Sequence, residues 1–189
     1  MSKTRKLAYV ALLGALSFVL MLVDFPIIPG ADFLKVELSI LPILVGLTLF
    51  GLKEAYVILV LRTLLKLVLN NQGISTLIGL PMNVLALGVF IFLFSLLWKK
   101  EKTRLQFVLA GLLGTLSLTG VMLLLNYFYA IPLYATFANF DIEKFIGIGR
   151  YMIGMVLPFN LIQGLIFTLS FALLYLSLKP LLLKYSYEK

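Results

Sequence analysis

Asn160 and Gln163 stand three residues apart inside an uncharged apolar run from Tyr151 to Leu178. On a helix that spacing puts both amides on one face. An unbonded amide in hydrocarbon is costly, so such side chains turn towards a bundle interior or a cavity. Two uses follow: a bond between helices, or donor and acceptor groups for a polar ligand. Pro158, two residues before Asn160, removes an N–H and frees a carbonyl nearby. The pattern Leu157-Pro158-Phe159-Asn160-Leu161-Ile162 is echoed by Leu80-Pro81-Met82-Asn83-Val84-Leu85. Both stretches lie on apolar runs of the same direction, so Asn83 and Asn160 read as two walls of one pocket. In so apolar a chain the echo does not establish an internal repeat. Asn126, with Tyr127 and Tyr129 beside it, is a third amide near the end of an apolar run.

Arg62 and Lys66 form an i, i+4 pair on another apolar stretch. Lys66 can snorkel to the surface, whereas Arg62 is deeper and needs a partner, with Asp24 and Glu37 as candidates. A structural ion-pair network suits these charges better than a binding role, because buried charges require pairing. Other chemistries are excluded by composition. With 0 His and 0 Cys, the chain has no His-ligated zinc, no Ser-His dyad and no thiol chemistry. It carries no GxxxxGK[ST] loop, and Gly147-Ile148-Gly149 does not follow a strand, so nucleotide motifs are lacking. No paired acids inside a span suggest a proton relay.

The elements that must position these groups are membrane helices. Of the 189 residues, 62% are hydrophobic, well above a soluble domain, and the apolar runs are too long for barrel strands. The fold class expected is an all-α integral membrane protein, one domain over residues 1–189. Its six spans are expected at about 7–23, 38–52, 55–69, 76–98, 105–130 and 151–178. The basic start Met1 to Lys6 is read as the flank of a retained first span rather than a cleaved signal. Ala8, Ala11 and Ala15 form a small-residue stripe on that span, fit for packing within the bundle or for docking a separate subunit.

Two prolines and a glycine break the helix between Asp24 and Asp32. Phe33 to Leu38 then alternates apolar and polar, which predicts an extended segment folding back as a lid. Gly51 to Glu54 reads as a tight turn. Residues 131–149 read as an outer connection whose Tyr134, Phe137, Phe140 and Phe145 form an interface belt or part of the cap. Most of the 16 Lys and Arg fall at the N-terminus, at Lys53, in the 99–104 loop and in the tail after Lys179. By the positive-inside rule both termini are cytoplasmic and the chain is a multi-pass cell-membrane protein. That rule, rather than nucleic-acid binding, accounts for the net charge of +8. The lid and the amides then lie in the outer half, so the pocket opens outward.

Taken in order, several features resemble one family. They are Ala11-xxx-Ala15, the segment Phe33 to Leu38 leading to Leu41-Pro42 and Gly46, Pro81-Met82-Asn83, the run from Asn126 to Tyr134, and the run from Pro158 to Gly164. Over nearly the whole chain they resemble the substrate-binding S-components of energy-coupling-factor vitamin transporters, most closely the riboflavin-specific kind. Gln163 stands where many riboflavin members are expected to carry lysine. The resemblance implies a six-helix, non-enzymatic S-component that takes riboflavin from outside as its transported ligand, with no cofactor. Its partners would be a transmembrane coupling subunit and two ATP-binding cassette ATPases. Ala8, Ala11 and Ala15 would meet the coupling subunit. The flat ring system would suit Leu38, Leu80, Met82, Tyr129, Pro132 and Phe159. Its polar groups would be served by Asn83, Asn126, Asn160 and Gln163, with Lys35 and Glu37 as further candidates. The alternatives are an S-component for another vitamin or a flavin phosphate, the latter drawing on Lys35 or Lys144, a membrane enzyme, or a non-transport membrane scaffold.

Overall fold

The computed structural model describes residues 2–98 and 103–186, with side chains described as far as residue 180. Most of the charged 99–104 loop and Lys189 lie outside the described residues, as does the Lys184 side chain. The first helix, α1 (Lys3–Met21), starts where the Ser2 hydroxyl accepts from the Arg5 N–H at 3.3 Å, a standard N-cap. The chain then forms a two-stranded antiparallel ribbon, β1 (Asp24–Pro26) and β2 (Lys35–Glu37), with Asp24 opposite Glu37. The alternation read from Phe33 to Leu38 therefore does produce a strand, and Val36 on its inner face is fully buried.

Next come α2 (Ile40–Phe50) and α3 (Leu52–Leu69), joined by Gly51 alone. The turn is tighter than the Gly51–Glu54 expected: Gly51 sits at φ 103°, which an L side chain rarely adopts, so one residue reverses the chain. Glu54 thus falls in the first turn of α3, where its carboxylate pairs with Lys6 of α1. Pro42 is tolerated because it lies in the first turn of α2, where its missing N–H has no helical partner.

The long elements are α4 (Ile74–Leu97), α5 (Arg104–Leu125) and α8 (Leu157–Ser186). A reciprocal Thr103–Gln106 capping box opens α5. This helix does not end where an outer connection was expected. A π-helical segment, Asn126–Ala130, runs straight into α6 (Ile131–Phe137), so the helical path is continuous from Arg104 to Phe137. Pro132 stands in the first turn after the widened π segment, where its ring is accommodated. After the short α7 (Ile142–Phe145), a second π segment, Arg150–Val156, leads into α8, which continues through Pro180.

Among the described residues, four helical stretches are long and apolar enough to cross a membrane: Lys3–Met21, Ile74–Leu97, Arg104–Phe137 and Arg150–Pro180. The most extensive helix contacts are α4 on α5, α1 on α3 and α5 on α8. The last pair is close because Gly164 meets Thr115; a Cβ there would lie 2.6 Å from the Thr115 hydroxyl. At the end of the bundle away from the ribbon, Phe94, Trp98, Phe107, Phe171 and Tyr175 form an aromatic cluster with ring centroids 5.1–6.2 Å apart. The cluster fills that end of the core.

Candidate ligand-binding cavity

Near the ribbon end, the helices border a partly open cavity of about 540 Å³. This is within the range of pockets for drug-sized molecules. One wall is α4, through Ser75, Gly79 and Met82, which share a face at i, i+4, i+7 spacing. A second wall is Met122, Asn126, Ala130 and Tyr134, one residue in every four. On a pure α-helix such a row would wind by about 40° per step, because four residues overshoot a 3.6-residue turn. The wide turn at Asn126–Ala130 winds the row back, so four side chains from α5 to α6 face one space. Tyr151, from the second π segment, forms a third wall, and Phe140 and Ile142 close the side. Phe33 and Leu34, from the loop leading into β2, cover the cavity. Phe33 lies over Tyr151, with ring centroids 6.1 Å apart and planes 27° from parallel.

The polar centre of this lining is a pair of side chains. The Asn126 Nδ2 donates to the Met122 carbonyl at 2.7 Å, and its Oδ1 accepts from the Tyr151 hydroxyl. Both ends of the amide are thereby held before anything binds. One N–H of Asn126 is left to donate, and the Tyr151 oxygen retains acceptor capacity. Among the described residues, no Lys or Arg lines the cavity. Lys35 is exposed and pairs with Asp24 at 3.0 Å across the ribbon. Lys144 pairs with Asp141 at 3.2 Å. The Lys144 backbone N–H and then its ammonium hold the exposed Asp141 carboxyl below its usual range.

Of the residues singled out in the sequence, Met82 and Asn126 are in the cavity lining. Tyr129 packs, half-buried, against the Ile78–Met82–Ala130 cluster behind it. Leu80 is buried on α4 two residues before Met82 and so on nearly the opposite face of the helix, and Pro132 is exposed. Leu38 and Phe159 pack in the main core. Glu37 and Asn83 both meet the buried Arg62, at 3.4 and 2.7 Å. The ion pair expected of Arg62 is therefore present with Glu37, while Lys66 bonds Asn70 at the end of α3. Asn160 is fully buried; its Nδ2 donates to the Val156 carbonyl at 2.8 Å, and its Oδ1 has no partner. Gln163 is buried on the same helix, beside the Gly164–Thr115 approach, where the Thr115 hydroxyl oxygen is also unpartnered. Ala8, Ala11 and Ala15 are exposed, whereas Val10, Gly14 and Ser17 face the bundle. The alanine stripe points away from the protein's own helices.

Sequence reading missed Tyr151 as a cavity residue and treated Tyr134 only as belt or cap. The signal was the every-fourth-residue row from Met122 to Tyr134, hidden by treating Ile131 and Pro132 as the start of a loop.

Comparison with known proteins agrees with this architecture. The family model described as "ECF transporter, substrate-specific component" matches residues 5–175. The chain is 56% identical to a protein named riboflavin transporter RibU from Streptococcus thermophilus, over 97% of this chain and 87% of that one. It is 41% identical to a riboflavin transporter RibU from Leuconostoc mesenteroides, covering 95% and 94%. A Bacillus subtilis protein named riboflavin transporter FmnP is 29% identical, covering 94% of both chains. Among solved structures, one titled "Structure and mechanism of the S component of a bacterial ECF transporter" superposes with a TM-score of 0.79. The pair is 24% identical, covering 96% of this chain and 99% of that one, and the match shows a shared fold. With a family model spanning nearly its whole length and relatives above 40% identity along it, this membrane chain belongs to the substrate-specific components of ECF transporters.

Proposed function

We propose that this protein is the riboflavin-binding substrate-specific component of an ECF importer, a transport component and not an enzyme. It captures the vitamin from outside and delivers it inward when docked to an energising module. The observation that carries this reading is the cavity itself. It is neutral, largely apolar, large enough for a flat tricycle, and supplied with one pre-oriented donor and acceptor at Asn126 and Tyr151. Riboflavin is uncharged, so it needs no buried counter-charge. The riboflavin transporter names of relatives at 56% and 41% identity support the same ligand.

Within this proposal the ring system lies against Phe33, Met82 and Tyr151, and its amide edge meets the Asn126–Tyr151 pair. Leu38, Leu80, Tyr129, Pro132 and Phe159 support the walls, while Lys35 and Glu37 act from the ribbon. Asn160 and Gln163, with Asn83 across the bundle, serve the hydroxylated chain. The unpartnered Asn160 Oδ1 is suited to such a donor. Six spans are assigned to α1, α2, α3, α4, the continuous helix from Arg104 to Phe137, and α8, with both termini cytoplasmic by the positive-inside rule. The module comprises a transmembrane coupling subunit and two ATP-binding cassette ATPases, reached through Ala8, Ala11 and Ala15.

The test is the visible absorption spectrum of the protein purified in mild detergent, followed by riboflavin fluorescence titration. A flavin spectrum that exchanges with added riboflavin is the expected result. A colourless protein that leaves riboflavin fluorescence unquenched overturns the ligand assignment. Competition by flavin mononucleotide then separates the vitamin from its phosphate.

A further inference from the structure

Arg62 is wholly buried in the middle of α3, and its guanidinium is divided among segments from two sides of the bundle. Nη1 donates to the Ser39 hydroxyl at 2.7 Å and reaches Glu37 Oε1 at 3.4 Å. Nη2 donates to Asn83 Oδ1 at 2.7 Å. Glu37 is anchored in turn, its Oε2 accepting from the Ser39 N–H at 2.6 Å. The Ser39 carbonyl accepts from the Ser17 hydroxyl of α1, also at 2.6 Å. One side chain thus joins the foot of the ribbon, the start of α2 and the wall helix α4, with α1 tied in behind.

What these segments border is the cavity. Glu37 ends β2, and the loop that enters β2 carries Phe33 and Leu34, which cover the cavity. Asn83 directly follows Met82, which lines the opposite wall. Pro81 deprives α4 of one ladder bond at that level, so this turn is held less firmly by its own backbone. The bond from Arg62 supplies a tie from outside the helix. Raising the foot of the ribbon would draw the Glu37 carboxylate from a guanidinium in apolar surroundings, and an uncompensated buried charge is strongly unfavourable.

We infer that Arg62 is a positioning residue of the binding cavity, which latches the foot of the ribbon to the α4 wall and thereby retains bound ligand. The latch needs a planar fork. A lysine keeps the charge opposite Glu37 but, as a single point, cannot also span Ser39 and Asn83. The ligand part of this inference rests on the riboflavin reading above; the latch itself does not.

The experiment compares wild type with Arg62→Lys in detergent. In ligand-free protein, hydrogen exchange read by mass spectrometry should accelerate together in the ribbon and in the first turns of α4 up to Asn83. The aromatic end, around Phe94, Phe107 and Phe171, should not change. With riboflavin, stopped-flow fluorescence should show dissociation about tenfold faster and association changed by less than about threefold, as affinity differences between variants fall mostly on the off-rate. Faster exchange along every helix alike, or an unchanged off-rate in a folded variant, overturns the inference. Should Arg62→Lys not fold, Ser39→Ala removes one leg of the fork and should give the same local pattern at smaller amplitude; no local change there also overturns it. If wild type binds no riboflavin, the functional reading fails, and the exchange pattern of the ligand-free proteins still decides the latch.

Discussion

Asn126 shows how much a single amide can be prepared before a ligand arrives. Its oxygen accepts from Tyr151 and one of its N–H groups donates to the Met122 carbonyl, so the free N–H has a set direction. Removing it leaves the Tyr151 hydroxyl and, in the site proposed above, the ligand short of a partner. Asn126→Ala should weaken riboflavin binding by about 1–3 kcal/mol, the cost of an unsatisfied buried polar group, measured by fluorescence titration. Asn160→Ala should do likewise if its unpartnered Oδ1 serves the ligand; unchanged affinity would assign that residue to the α5–α8 interface alone. Lys35 is the contrast. Its pair with Asp24 is exposed on both sides, and such pairs contribute roughly 0–1 kcal/mol, so Lys35→Ala should leave the thermal midpoint nearly unchanged.

Among the elements, the two π segments have the clearest consequence for the site. Both border the cavity, and each places one member of the Asn126–Tyr151 pair. The long helices outside them pack by close approach of small residues. Gly164 has no room for a Cβ against Thr115, and Gly111 is closer still to Thr168. Gly164→Val should therefore force α5 and α8 apart and cost about 1–3 kcal/mol of stability, seen as a lower thermal midpoint in detergent. Helix α2 shows a different constraint: at 11 residues it is shorter than a straight membrane crossing, and α3 follows it after a single glycine. These two helices pack closely and share the ribbon's foot, so the short pair and the lid form one structural unit.

At the scale of the whole molecule, the two ends of the bundle are unlike. One end holds a cavity under a ribbon; the other is filled by interlocking aromatic rings. The face of α1 that carries Ala8, Ala11 and Ala15 is left uncovered, while Gly14 on its other side takes the contact with Leu61 of α3. Lys6, paired with Glu54, pins this helix to α3 near the stripe. A double variant Ala11→Leu, Ala15→Leu should retain riboflavin affinity, because the stripe is remote from the cavity lining. It should lose co-purification with the energising module and lose uptake in cells. Normal uptake by that variant would remove the stripe from the docking surface.

Much of this protein was legible in its residues. Long uncharged runs demand membrane helices, the absence of His and Cys removes whole classes of chemistry, and the alternation from Phe33 to Leu38 specifies a strand. Arg62 could be expected to find an acid because a buried charge cannot stand alone. The site was only partly legible. Met82 and Asn126 sit on the cavity, but Tyr151 and Tyr134 join them through π turns, whose extra residue depends on how neighbouring helices pack. Asn83, paired by pattern with Asn160 across a pocket, also bonds Arg62 through its Oδ1, since which amide meets which charge is set by the three-dimensional crossing of α3 and α4. Local sequence determines where helices start, stop and turn. Only the tertiary structure decides which faces meet, because that choice depends on contacts between residues far apart in the chain.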